Sequence, residues 1–385
     1  MVTGFSYYPS WRKLPQDHGK LFHREIYKGV QVLRGYFYVP KKVSTPKRIL
    51  HELSFCLFAA LNFVRAGRQD CIIIISPPLL LGLVGVAFKW LFRSRLVFHI
   101  QDLQPDAALS LGMVKHGLMI RFLSRIEKFI YTHSDHVATI TEAMRSRLLD
   151  KGVPSEKLGL YYNWIDVARA SKSRPAGGFR SRHPEIMGNW IVAYAGNIGV
   201  KQGADVLVKL AEAMRTIDAI HFVIAGDGAD KERLKTIAAR HKLSNLTFLP
   251  FLSQADYFDL LRDIQVSFIA QRRGAGNVFF PSKLLGIMAM SKPVLISADR
   301  ESELSSFVRR HNCGLTADAE DIPQLAASIE SLYADPVLLN KLGANARHAV
   351  EQFDRDVILE RFFQRIQSGT EHEDASCVSA LTGPQ

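Results

Sequence analysis

The sequence predicts an α/β chain built as two doubly wound parallel-sheet domains. Three observations carry this. Short apolar runs alternate with segments of helical period along most of the chain, and such alternation builds parallel sheets covered on both faces. The alternation is interrupted by residues 167–188, rich in Arg, Ser, Gly and Pro, which read as a linker. After it, three Gly-bearing turns (196–203, 226–228 and 271–283) follow apolar runs. Those are the carboxyl ends of strands, where open α/β sheets take ligands.

Composition supports this class. The 385 residues are 47% hydrophobic and 22% charged, enough to bury sizeable cores and too apolar for wholesale disorder. Four cysteines, Cys56, Cys71, Cys313 and Cys377, lack paired spacing, which argues for a reduced cytoplasmic protein without disulfide framework or zinc site. The net charge of +12 is uneven: residues 1–185 hold 28 Lys and Arg against 13 Asp and Glu, and the remainder 21 against 24. A basic half suggests an anionic partner. No zinc-finger spacing or RNP-like aromatic segment points to nucleic acid, and the basic residues are interleaved with bulky apolar ones, so an anionic membrane surface is expected. The opening Met1-Val2-Thr3-Gly4-Phe5-Ser6 does not read as a signal peptide. The uncharged run from Cys71 to Phe88 approaches membrane-span length, but Pro77-Pro78 divides it into a buried strand and its packing helix.

In order, residues 1–45 read as aromatic-rich and irregular with one strand at 30–39. Helix 47–65, strand 71–75, helix 79–92 and strand 96–100 follow. Helix 117–132 gathers Leu118, Ile120, Phe122, Leu123, Ile126, Phe129 and Ile130 on one apolar face beside Lys115, Arg121, Arg125 and Lys128. It reads as an interfacial helix for anionic lipid or, equally, as a sheet-covering helix with a basic outer face. Strand 137–140, helix 142–151 and strand 158–162 complete the first half. The second half runs strand 190–195, helix 204–214, strand 221–225, helix 230–242, strands 246–251 and 266–270, a helix opened by Pro281-Ser282-Lys283, strands 294–296 and 313–316, and helices 322–333, 336–353 and 356–367.

The stretch 271–296 organises the chemistry. A strand ends in a basic glycine loop, and Pro281 suits the first helical turn, whose free N–H groups attract anions. With Lys201 and Lys283 at hand, the three turns point to a nucleotide diphosphate site. Neither a P-loop nor a full G-x-G-x-x-G after a strand is present. In the first half, His99, Gln101 and Asp102 close a strand, with His99 and Gln101 on one side. A catalytic or sugar-holding role for them stands beside a structural histidine and an N-capping aspartate. Asp354-Arg355-Asp356 has metal-site spacing but reads as a helix start, so no metal is expected.

Together, the Gly196-Asn197-Ile198-Gly199 turn, Gly226-Asp227-Gly228, Phe248-Leu249-Pro250, Pro281-Ser282-Lys283, Ser291-Lys292-Pro293-Val294, Phe98 to Leu103 and the opening TGFSYYPSW resemble GT-B glycosyltransferases of family 4. The likeness is to the exopolysaccharide subgroup of colanic-acid type and covers about residues 2–367. It implies two Rossmann-like domains facing a cleft and transfer of a sugar from a nucleotide-sugar donor (UDP- or GDP-linked), with retention. No further cofactor is implied, and the acceptor would be a lipid-linked saccharide at the inner face of the cytoplasmic membrane. By the same resemblance, Gly196, Asn197, Gly199 and Gln202 sit near the donor phosphates, and Gly226, Asp227 and Gly228 shape the donor cleft. The backbone around Phe251 meets the base, Pro281, Ser282 and Lys283 hold the diphosphate, and Lys201 joins Lys283 in stabilising it. His99, Gln101 and Asp102 face acceptor and sugar.

The sequence departs from the family pattern in several places. Asn197 and Gln202 stand where an Arg and a Lys are common, and Gln101 where a His is common. Val278 and Gly286 replace an acid pair, so the ribose-binding carboxylate is missing at Gly286. The family's opening strand, Gly-rich loop and helix would precede TGFSYYPSW, so the first domain is expected to be incomplete at its start. The expected division is a domain at 1–166, a linker at 167–188, a nucleotide-sugar domain at 189–353, a helix at 354–367 and a disordered tail at 368–385. Two other readings stay open: a GT-B epimerase or phosphorylase, and a non-catalytic sugar-nucleotide or membrane-surface binding protein.

Overall fold

The computed structural model describes residues 1–7, 12–40, 44–104, 117–171, 178–199, 202–273 and 283–368. It divides into two compact units: Met1–Tyr161, joined by the chain from Arg365, and Tyr162–Gln364.

Unit 1 contains two sheets rather than one. The first has the order β1-β3-β2, from β1 (Val2–Gly4), β2 (Phe22–Tyr27) and β3 (Val30–Gly35), with β1 parallel and β2 antiparallel to β3. The segment read as irregular thus supplies two strands that sequence pattern missed. β1 is three residues long, and β2 keeps most of its side chains exposed, so neither shows a buried apolar run. Helix α1 (Thr45–Ala66) packs on β1 and β3. Its stretch from Pro46 to Ala66 is, among the described residues, the one helix long and apolar enough to cross a membrane.

The second sheet is parallel throughout, β4 (Cys71–Ser76), β5 (Arg95–Ile100), β6 (His136–Thr139) and β7 (Leu158–Leu160) in that order. Helices α2 (Leu81–Phe92), α3 (Leu118–His133) and α4 (Glu142–Asp150) connect the strands. The uncharged run is split as Pro77-Pro78 indicated, into β4 and α2. Thr141 caps α4 by accepting from the Met144 N–H at 3.1 Å.

Unit 2 is a six-stranded parallel sheet in the order β10-β9-β8-β11-β12-β13. Its strands are β8 (Trp190–Ala195), β9 (Ile220–Ala225), β10 (Leu246–Leu249), β11 (Val266–Ala270), β12 (Val294–Ser297) and β13 (Gly314–Ala317). IHFVIA in β9 and VSFIA in β11 are buried along their full length, as central strands covered on both faces must be. One apolar cluster gathers Phe179, Ile269 and Phe353, and the other Tyr194, Phe222 and Phe268.

The stretch read as a linker is largely structural. It carries α5 (Val167–Ser171) and α6 (Gly178–Ser181), and Phe179 and Ile186 are fully buried in the unit 2 core. The Gly, Ser and Pro content hid two core anchors. Helices α7 (Asp205–Ala213), α8 (Lys231–Arg240), α9 (Gln254–Asp263), α10 (Lys283–Ala289), α11 (Glu303–His311), α12 (Ile322–Ala334), α13 (Pro336–Val350) and α14 (Arg355–Ser368) follow. The sequence reading missed α9 and α11, although Ser253 and Ser302 cap them, accepting from Asp256 N and Ser305 N. The tail beyond residue 368 lies outside the described residues.

Candidate functional site

In unit 2 the chain runs outward from β8 through β9 to β10, then returns to place β11 on the other side of β8. The switch point therefore lies at the carboxyl ends of β8 and β11, where diverging connections open a crevice. The turn after β8 is built on backbone contact. Gly196 N donates to Ala225 O at 2.9 Å, Ile198 N to Asp227 O at 2.8 Å, and Asp230 N to Ile198 O at 3.0 Å. This lacing explains Gly226 and Gly228. A Cβ on Gly226 would lie 1.8 Å from Gly196 O, and one on Gly228 2.3 Å from Ile198 O, at φ of 149° and 156°. Both glycines thus join two turns, and the Gly226-Asp227-Gly228 segment supports the Gly196 turn.

Lys283 opens α10, beyond β11. Its ammonium stands over the ring of Tyr194, 4.0 Å from the centroid, and within 3.6 Å of where a Cβ on Gly196 would be. It therefore bridges the two sides of the switch point. Burial alone pushes its pKa down, to about 8, and no carboxylate pairs with it among the described residues. A cation so placed favours an incoming anion. Tyr194 was read only as a strand residue. Its hydroxyl donates to Asn197 O at 2.6 Å, and its ring forms the floor under Lys283.

Other residues hold the crevice. Lys231 donates to Gly226 O at 2.6 Å and to Leu249 O at 3.0 Å, so it fastens two strand ends. Arg272 reaches Asp205 at 2.7 Å and Glu320 at 2.9 Å, which ties the start of the basic loop to α7 and to the turn after β13. Both were unmarked in the sequence, because charged loop residues look alike without their partners. The Gln202 amide oxygen folds against Gly199, and the Asn197 amide oxygen lies against Gly228. Phe251, two residues past β10, is 60% exposed. At Gly286 a Cβ would stand 3.3 Å from the Tyr257 ring, so Tyr257 crowds the place a longer side chain would use. Lys201, Pro281 and Ser282 lie outside the described residues.

In unit 1, β5 ends in His99 and Ile100, and Gln101 continues the ladder through its N–H to Ser76 O at 2.8 Å. The Gln101 side-chain nitrogen lies 2.7 Å from His99 Nε2, so the two share one side and the amide donates to the ring. Burial holds His99 down to about 4, keeping it neutral. Burial raises the Asp102 carboxyl, with Arg48 opposing. Asp354 accepts from Asp356 N at 3.0 Å and Val167 N at 3.2 Å, while Arg355 binds Asp166 and Asp356. That segment is a helix start. Among the described residues no three His, Cys, Asp or Glu side chains group as a metal site.

The apolar face read on α3 is divided. Ile126 and Ile130 turn inward, while Leu118, Phe122 and Phe129 stay exposed with Met119. On the inward side lies Glu127, buried at 3% exposure, which accepts from the Tyr131 hydroxyl and pairs with Lys151 at 2.7 Å. Trp90 of α2, 58% exposed, packs edge-on against Phe129 with centroids 6.0 Å apart, and extends the outward patch.

Residues 179–349 match the family described as Glycosyl transferases group 1, and residues 14–164 match the Glycosyl transferase 4-like domain. A protein of Escherichia coli strain K12 named as a colanic acid biosynthesis glycosyl transferase, WcaI, is 30% identical over 95% of this chain and 91% of its own length. A Pseudomonas aeruginosa protein named as the glycosyltransferase WbjE is 24% identical over 78% of this chain and 73% of its own. Among solved structures, Anabaena Alr3699/HepE in complex with UDP superposes with a TM-score of 0.66 at 16% identity, covering 83% of this chain and 84% of that one. Sucrose-phosphate synthase of Thermosynechococcus elongatus gives 0.69 at 18% identity, covering 91% and 86%.

Proposed function

This chain belongs to the GT-B glycosyltransferases, and from that premise we propose that it moves a sugar from a UDP- or GDP-linked donor to a lipid-linked saccharide precursor of an exopolysaccharide, with retention. The observation that carries the donor reading is Lys283, an ammonium without a carboxylate partner among the described residues, standing over the Gly196 turn at the switch point. In this reading the diphosphate lies between Lys283 and the backbone of the turn, and the base meets the backbone around Phe251. When the bond from the sugar C1 to the diphosphate oxygen breaks, negative charge grows on the leaving group. Preorganised N–H groups and the chain's own cations stabilise that charge more in the transition state than in the ground state. The acceptor hydroxyl bonds to C1 on the face that the diphosphate leaves and gives its proton to the departing diphosphate oxygen. In unit 1, His99, Gln101 and Asp102 hold the acceptor. UDP in the Anabaena complex and the colanic acid name of the Escherichia coli relative support the donor class and the pathway type.

The acceptor reading rests on unit 1. Exposed Phe122, Phe129 and Trp90, with Arg121, Arg125 and Lys128 on α3, suit peripheral contact with an anionic membrane at the inner face. Incubation of the full chain with a labelled nucleotide-sugar panel and bacterial membranes tests the function. Label entering the lipid extract, lost in the Lys283→Ala variant, is the expected result. Binding of nucleotide sugars without transfer to any lipid or saccharide acceptor would favour a non-catalytic binding protein instead.

A further inference from the structure

The amino-terminal edge of the parallel sheet in unit 1 holds a cavity of about 560 Å³ lined by five basic side chains and two carboxylates. It lies at the opposite strand ends from His99 and Asp102, where Arg95 starts β5 and Lys157 immediately precedes β7. We propose that this cavity is a second anion site, which takes the phosphate group of a ligand other than the sugar donor.

The charges support this one by one. Lys89 is matched by Asp135 at 2.6 Å, and the other oxygen of Asp135 accepts from Leu96 N at 2.7 Å. That carboxylate is fully used. Three other cations also donate to main-chain carbonyls. Lys157 donates to Thr132 O and Ser134 O at 3.1 and 3.3 Å, Arg365 to Glu156 O at 2.7 Å, and Arg95 to Ile366 O. Five basic side chains against the carboxylates of Asp135 and Glu156 leave the cavity with an excess of positive charge. Arg93 adds another cation, exposed at the left-handed residue that ends α2. His136, on the cavity wall, registers the field. Its pKa falls to about 4, first through burial and then through Arg365 and Arg95. Arginine and lysine converging on a hollow larger than a phosphate itself is how phosphate esters are held.

Two sources of phosphate fit: a soluble phosphate ester or the headgroup of an anionic lipid. The full chain carrying Lys283→Ala, which removes the donor contact, is titrated calorimetrically with inorganic pyrophosphate and co-sedimented with phosphatidylglycerol and phosphatidylcholine vesicles. The same measurements are made with Arg93→Gln and Lys157→Gln added. Residual pyrophosphate binding, weakened about tenfold or more by the double substitution, supports the site. Parallel loss of phosphatidylglycerol binding assigns it to lipid, and its retention assigns it to a soluble ester. No residual binding of pyrophosphate or phosphatidylglycerol, or binding that the substitutions leave unchanged, overturns it. If Lys157→Gln impairs folding, Arg93→Gln alone decides by the same criterion, because its side chain is exposed.

Discussion

A lysine enclosed beside an aromatic ring and a glycine turn gives up hydration that a bound diphosphate would replace. That is the position of Lys283, and its neighbours show why glycine is required around it. Gly228→Ala would press a methyl carbon to 2.3 Å from Ile198 O, against backbone rather than a yielding side chain. The expected cost is about 1–3 kcal/mol of unit 2 stability, read by denaturant unfolding, together with loss of nucleotide affinity. An alanine variant of unchanged stability would show that the two turns are not locked. The sequence displayed the glycines and Lys283, because turn residues after apolar runs stand out. It could not display Tyr194 or Arg272. A buried tyrosine in a strand and an arginine in a loop acquire roles only from what folds beside them.

Among elements, β5 and β6 carry an acid liability. Burial lowers both His99 and His136 from an ordinary value near 6.5 to about 4. Their folded forms are neutral, so the unfolded chain binds more protons below pH 6.5. The stability they confer is fully present above that pH and is lost as pH falls towards 4, by about 3 kcal/mol each at most. Hydrogen exchange of the β5 and β6 amides should therefore speed up between pH 6.5 and 4.5, after correction for intrinsic rates. His136→Gln should reduce that dependence if it folds. Exchange that is flat across this range would contradict the assignment. The proposed membrane contact of helix α3 is tested separately. Phe122→Asp should reduce binding to phosphatidylglycerol vesicles, and wild-type binding should weaken with added salt, since exposed charges are screened over roughly 8–10 Å. Equal partitioning of the wild type onto neutral vesicles would remove the electrostatic part. Sequence period located α3 but not its division into two faces, because the buried Glu127 is legible only through Tyr131 and Lys151.

At the scale of the molecule, the two alternating halves and the parallel sheet of unit 2 were legible, since continuous apolar runs bounded by glycine turns mark buried strands. The parallel sheet of unit 1 was legible too, but its small first sheet and the folded stretch after residue 166 were not. Short or exposed strands and anchors such as Phe179 leave no periodic trace. Unit 2 has a core on both faces of its own sheet and carries Gly196, Phe251 and Lys283, so residues 162–364 expressed alone should fold and bind a nucleoside diphosphate. A folded fragment that binds none would place the donor site elsewhere.

The measurement that bears most directly on the donor site is calorimetric titration of the full chain with UDP and GDP at pH 7 and pH 9, beside Lys283→Ala. A bound diphosphate favours the charged lysine, so affinity is full below about 8 and falls as pH rises through that value. The expected result is binding of at least one nucleotide, weaker by about tenfold at pH 9. Lys283→Ala should lose about 1–3 kcal/mol at pH 7 and most of the pH dependence. Affinity that is the same in wild type and variant at both pH values would contradict a diphosphate held by Lys283 at the switch point.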